Sequence, residues 1–295
     1  MRNCLSLLVV LLSCSSAQGF SYLPPYSLAA LRTAPSVYTG KLGRRLGEAR
    51  RMRSSWHVAQ WGIEEDLPAT IDCLGNCHDN EWQAANAYAT LYAKDGALTL
   101  RQDSRDAKFG CREFDLNIEP NDPLTYPHYP RGLRRRAARP VLADSKTLVV
   151  EATQEVQEAS HGTRCPPGQN LATTLIALVF LNPAAEQVIF YELITYDSRG
   201  RHFTGLWFFS GPTVYGVSDS VEVLGFSPLT PHEGPVVYSI DVLPRMTELI
   251  ANGPAPLDTD LRHWKVGGLY LGSATNGEAQ IISIHSNINL VGERQ

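Results

Sequence analysis

The sequence lacks any apolar run long enough to cross a membrane as a helix. Its longest, residues 5–12 and 171–181, fall far short of the roughly 20 residues such a span needs. It lacks a basic excess as well. A net charge of −4 and a pI near 6.1 leave no electrostatic footprint for a nucleic-acid-binding domain. Neither Gly-x-Gly-x-x-Gly nor the Lys-Ser/Thr phosphate loop is present, which removes the glycine-rich nucleotide cradles. Without a Gly-x-Ser-x-Gly elbow there is little support for serine-hydrolase chemistry. His57, His78, His202, His263 and His285 are scattered without ligand spacing, so no metal triad emerges. A zinc site on Cys73, Cys77 and His78 would lack a second tight ligand pair, and no loop has the spacing of a calcium site. No cofactor is expected.

What is present begins with an export leader. Arg2, an apolar run over 5–12 and small residues at Ser15, Ser16, Ala17 and Gly19 reproduce the layout of a secretory signal, expected over 1–19. Leu11-Leu12-Ser13-Cys14 also resembles a bacterial lipobox, which would make Cys14 a lipidated amino terminus. The protein is therefore expected outside the cytoplasm, secreted or periplasmic. Removal of the leader leaves Cys73, Cys77, Cys111 and Cys165, an even set that an oxidising compartment pairs as disulfides. The Gly75-Asn76 turn lets Cys73 close on Cys77, with Cys111 reaching Cys165, but the other connectivities stay open.

Residues 20–54 carry Pro24, Pro25, Pro35 and a run with Lys41, Arg44, Arg45, Arg50, Arg51 and Arg53. Without a sustained hydrophobic period they read as a flexible basic tether. Arg131, Arg134, Arg135, Arg136 and Arg139 read as a solvated loop. From residue 55 onward a single domain is expected. Strand-like pieces recur at 87–92, 97–102, 112–119, 147–152, 174–181, 188–196, 205–210, 220–225, 235–242, 264–272 and 279–290. They are separated by turn chemistry such as Asp95-Gly96, Asn182-Pro183 and Asn276-Gly277. This spacing predicts an all-β, antiparallel β-sandwich rather than alternating βα units. One short helix is expected over 244–252, where apolar residues at Met246, Leu249 and Ile250 end at Asn252-Gly253-Pro254.

The most informative strand is 112–119. Alternation puts Glu113, Asp115, Asn117 and Glu119 on one face and Phe114, Leu116 and Ile118 on the other. A row of carboxylates and an amide opposite a packed face suits a groove for hydroxyl-rich or cationic ligands. Such grooves combine carboxylates with aromatic faces that stack on sugar rings; Trp82 and Trp207 are the first candidates among the tryptophans. A second carboxylate, Glu192, lies between Tyr191 and Leu193 on an apolar strand, where it is either functional or paired with a buried Arg.

Glu113, Asp115 and Glu119 resemble the Glu-x-Asp-x-Glu signature of family-sixteen glycoside hydrolases, over this strand alone. The spacing here is Glu-x-Asp-x-x-x-Glu, which sets Glu113 and Glu119 roughly 20 Å apart on a straight strand. Hydrolysis wants carboxyls about 5–5.5 Å apart for retention or 6.5–9.5 Å for inversion. A longer resemblance runs from Phe190-Tyr191-Glu192-Leu193-Ile194-Thr195-Tyr196 through the short helix to Tyr270-Leu271-Gly272-Ser273-Ala274. It is similar to the family-twelve endoglucanase layout, and implies a concanavalin-like or jelly-roll sandwich with Glu192 as nucleophile. The position of that family's general acid is held by Ala274, which has no proton to give, and Glu278 beyond the turn is a poor substitute. The resemblance thus implies either a binding descendant or an acid supplied from elsewhere.

The expected partner is a polysaccharide or other glycan, with Glu192, Glu113 and Asp115 as the catalytic candidates. Asn117, Glu119, Trp82 and Trp207 are the binding candidates. A glycan-binding protein, a glycoside hydrolase and a structural envelope sandwich are the competing functions. In the last, the basic run 131–139 would cover the acidic strand.

Overall fold

The computed structural model describes residues 82–94, 96–105, 110–120, 141–166, 168–209 and 213–295, residue 67, and the short segments 20–21, 37–39, 44–46, 56–61 and 72–73. The leader at 1–19, Cys77 and the basic run at 131–139 lie outside the described residues. Within 20–54, β1 (Phe20–Ser21), β2 (Val37–Thr39) and β3 (Arg44–Leu46) are described; β1 and β2 each pair with a strand of the main body, and β3 pairs with β2.

The remaining strands are β4 (Trp56–Trp61), β5 (Asp72–Cys73), β6 (Trp82–Ala85), β7 (Ala89–Lys94), β8 (Ala97–Asp103), β9 (Glu113–Pro120), β10 (Ser145–His161), β11 (Leu171–Asn182), β12 (Gln187–Asp197), β13 (Leu206–Phe209), β14 (Val214–Ser220), β15 (Val236–Asp241), β16 (Lys265–Asn276) and β17 (Ala279–Arg294). They form two sheets. One runs β15-β10-β17-β8-β7-β6-β5 with β1 on β17, and the other runs β13-β14-β12-β11-β16-β9-β4-β2-β3. The architecture is the expected jelly-roll-like β-sandwich. Pairing is antiparallel apart from β12 with β14 and β2 with β4. The expected helix is α1 (Leu243–Ala251), with Pro244 in its first turn, where a missing N–H costs nothing.

The core follows strand alternation. Phe114, Leu116 and Ile118 of β9, and Ile189, Tyr191 and Leu193 of β12, face inward and are buried, with Leu148, Val150, Ile281 and Leu290 in the same core cluster. A polar seam also crosses the interior. His285 of β17 takes Gln154 at one ring nitrogen and Ser283 at the other (3.0 and 2.9 Å), and Ser283 meets Ser273 of β16. Burial pulls the His285 pKa down to about 3, so the ring stays neutral.

One expected strand is displaced. Residues 220–225 do not form a strand; β14 ends at Ser220, and residues 221–224 form a 3-10 turn closed by Gly225 at positive φ. β14 is buried on both faces, so the alternation that marks a half-exposed strand is missing from it.

Helix α1 is held to the site-bearing sheet by a buried ion pair. Asp219 of β14 is fully enclosed. It accepts from Arg245 Nε and Nη2 at 2.8 and 3.0 Å, from the Tyr191 hydroxyl at 3.0 Å and from the Gly205 N–H. Removing one partner of such a pair leaves an uncompensated charge in the interior. Arg245→Met is expected to destabilise the fold by about 3–5 kcal/mol, measured by thermal or denaturant unfolding; a loss under about 1 kcal/mol, the range of an exposed ion pair, would contradict this role for the pair.

Candidate functional site

The outer face of the second sheet holds a cavity of about 700 Å³. Its floor is β11, whose Thr173, Leu175 and Val179 line the cavity although the strand is buried almost throughout. Glu113, Asp115 and Asn117 line it from β9, Tyr270 and Ala274 from β16, Phe190, Glu192 and Ile194 from β12, Ser218 from β14 and Phe208 from β13. Side chains from six strands enclose one space only if the sheet cups around it. The period of two that sends Phe114, Leu116 and Ile118 into the core sends Glu113, Asp115 and Asn117 here.

Glu192 sits across this face from the β9 row, with β11 and β16 between them. Ser218, its register partner on β14, donates to Glu192 Oε2 at 3.0 Å, and the Tyr270 hydroxyl donates to the same carboxyl group. Both bonds favour the ionised form. Burial and the nearby charge of Glu113 oppose them, burial most strongly, and lift the Glu192 pKa to about 7. Asp115 is pushed well above the ordinary carboxylate range, by burial first and then by the charges of Glu113 and Glu192. Glu113, at the exposed rim, is also raised by loss of solvent, with Arg199 pulling the other way.

Arg199 is the one cationic side chain among the described lining residues. It grips Asp197 through Nε and Nη2 at 2.9 and 2.6 Å and donates from Nη1 to the Gly168 carbonyl at 2.9 Å. Its charge is thus largely matched by Asp197.

Two local features shape the β9 row. Gly272 pairs with Asn117 across β16 and β9, and a Cβ at Gly272 would occupy the space held by Asn117 Oδ1. The Cys111–Cys165 disulfide ties the chain just ahead of Glu113 to the β10–β11 connection that also carries Gly168. This is one of the expected pairings. Cys73 has its backbone in β5, and the Cys73–Cys77 pairing lies outside the described residues.

Several candidates fall elsewhere. Trp207 does not line the cavity. Alternation turns it away from Phe208, and it packs edge-on against Tyr215, with ring centroids 6.5 Å apart. The aromatic wall is Phe208, whose ring lies over Gly216. Trp82 has its backbone in β6 of the opposite sheet, and the Glu119 side chain lies outside the described residues. Glu278 is occupied away from the cavity, accepting from the Thr163 and Arg164 N–H groups at 3.2 Å. Ala274 lines the cavity in direct register with Asp115 of β9. Ser218 and Tyr270 were not singled out by the sequence, because their partner Glu192 is distant in the chain; Arg199, whose partner Asp197 is two residues away, carried no local signal of a site.

No protein-family model and no curated protein matches the sequence. Among solved structures, the chain is similar to a cellulase derived from that of Rhodothermus marinus, at 8% identity and a TM-score of 0.41 over 72% of this chain and 92% of that one. It is similar to a metagenome-derived family 12 endoglucanase at 9% and 0.41, over 74% and 93%. The family 11 xylanase of Neocallimastix patriciarum matches at 9% and 0.37, over 80% and 95%. These likenesses are distant, and what the groove does rests on its own residues.

A carboxyl whose pKa is higher folded than unfolded holds its proton more tightly in the fold. Stability is therefore lost as pH rises from the ordinary Glu value of 4.5 through about 7. Glu192→Gln is expected to flatten part of that loss, so that its melting temperature falls less than the wild type's between about pH 5 and pH 8. An equal or steeper fall in the variant would show that Glu192 carries no raised pKa.

Proposed function

We propose that the protein is an exported glycan-processing sandwich whose groove cleaves a glycosidic bond between Glu192 and Asp115. The observation that supports this most is the pair itself: two carboxyls facing one cavity from different strands, one held by two hydroxyl donors and the other by none among the described residues. Glu192 accepts from Ser218 and Tyr270, bonds that favour its ionised form, and titrates at about 7, whereas the Asp115 carboxyl has no hydrogen-bonding partner among the described residues and is pushed well above the ordinary carboxylate range by burial and by the charges of Glu113 and Glu192. Carboxyl pairs divided in this way assign base and acid roles. Asp115 gives its proton to the glycosidic oxygen as the bond to the anomeric carbon breaks, and the Glu192 carboxylate supplies the electron pair at that carbon. Asn117 and Phe208 hold the chain, the amide by hydrogen bonding and the ring by packing on a sugar face. The Cys111–Cys165 disulfide supports an oxidising compartment, in keeping with the leader expected at 1–19.

A second reading, glycan binding without cleavage, is favoured by Ala274 at the position where the family-twelve layout places its acid. Under it, Asp115 serves only as a ligand group.

The test is reducing-end release by residues 20–295 from β-glucans, xyloglucan, xylan and galactans, with retention on the same polymers measured alongside. Release should climb as pH passes through about 7 and Glu192 ionises. Glu192→Gln and Asp115→Asn should each lower it by about 10²-fold or more. Retention without release supports the second reading, and the absence of both contradicts a glycan groove for these polymers.

A further inference from the structure

We infer that the groove is built for a glycan bearing free amino groups, a chain of amino sugars, rather than for a neutral or acidic one. The inference rests on the reading of the cavity as a glycan groove and names its substrate class.

Its basis is a charge imbalance set by geometry. Glu113, Asp115, Glu192 and Asp197 line one cavity with a single cationic side chain, Arg199. Arg199 is bound through two nitrogens to Asp197 and through the third to the Gly168 carbonyl. Glu113 feels its field, yet neither Glu113 nor Asp115 has an ion pair or side-chain hydrogen bond among the described residues. Glu192 is stabilised by two hydroxyl groups and no cation.

A second observation marks the place as a ligand site. Asn117 is only 7% exposed, lines the cavity, and its amide has no hydrogen-bonding partner among the described residues. The amide is thus left open to the cavity, where a ligand can take its donor and acceptor. Gly272 leaves the space that the amide occupies. A ligand in contact with Asn117 is also beside Asp115 and Glu113, since these alternate residues share one face of β9.

The chemistry of the occupant follows. A neutral sugar would strip solvent from three unmatched carboxyls and offer only hydroxyls in return. A uronic acid chain would add like charge. A metal counter-ion has no set of three converging His, Cys, Asp or Glu side chains among the described residues. An ammonium group on a sugar ring supplies both the missing charge and up to three donors. Seated beside Glu113, it would also screen Glu113 from Glu192 and help the latter ionise, while Asp115 keeps the proton it gives to the glycosidic oxygen. Binding a cation to carboxyls that hold protons must release protons.

The test is titration calorimetry of the full mature chain with short oligomers of glucosamine, N-acetylglucosamine and galacturonic acid, near neutral pH, in buffers of different ionisation enthalpy. The glucosamine oligomer should bind at least roughly tenfold more tightly than its acetylated counterpart, with proton release and with an advantage that fades as salt rises. Glu113→Gln, at the exposed rim, should erase most of that advantage without unfolding the protein. Equal or tighter binding of the acetylated or uronic oligomer overturns the inference and leaves the glycan-groove reading standing. Binding of none of the three, together with no retention on neutral polymers, overturns both.

Discussion

Mutual repulsion among carboxyls sharing one cupped sheet face is the constraint on which the account of this protein depends. Glu113, Asp115 and Glu192 are drawn partly out of water onto the same cavity, and each is shifted upward in pKa by burial first. Nothing in fold stability calls for that arrangement. Mixed charges on this face would be easier to solvate, and protons held above the ordinary carboxylate range mark a free-energy cost that a ligand or a reaction can recover. The arrangement persists because the sheet beneath it is over-determined: β11 is buried on both faces, and β9 and β12 anchor their other faces in the core.

The scaffold converts chain positions far apart in sequence into one site. The disulfide fixes the start of β9 beside the β10–β11 connection, while Arg245 and Asp219 clamp helix α1 beneath β14, the strand that brings Ser218 to Glu192. Gly272 and Gly216 act by what they lack. The first admits the Asn117 amide over β16, and the second seats the Phe208 ring. The geometry of the groove thus depends on small residues as much as on charged ones.

Much of this was legible in the sequence wherever one face of a strand is packed and the other is not. The alternation of residues 113–118 put Glu113, Asp115 and Asn117 on one face and Phe114, Leu116 and Ile118 on the other, the faces that line the cavity and the core, and the apolar setting of Glu192 set it apart. Legibility failed where both faces are buried. In β14 the enclosed Ser218, Asp219 and Ser220 look like turn residues, because the partners that satisfy them, Glu192, Arg245 and the Phe203 N–H, lie on other elements. Trp207 and Phe208 differ by one position. Nothing local decides which of two adjacent aromatics faces the groove, and the pairing of β13 with β14 settles it. The polar seam around His285 likewise broke the apolar pattern of β10 at Gln154, which hid the full length of that strand.

The central claim is that Asp115 holds its proton well above the ordinary Asp range while sharing its cavity with Glu192. Infrared difference spectroscopy of residues 20–295 against the same chain with Asp115→Asn, recorded across a pH titration, observes this directly through the carbonyl stretch of a protonated carboxyl. The account predicts a protonated-carboxyl band still present at pH 5 that is absent from the variant and that disappears only well above the ordinary Asp range. A difference spectrum showing Asp115 already ionised at pH 5 would contradict it and remove the basis for an acid in this groove.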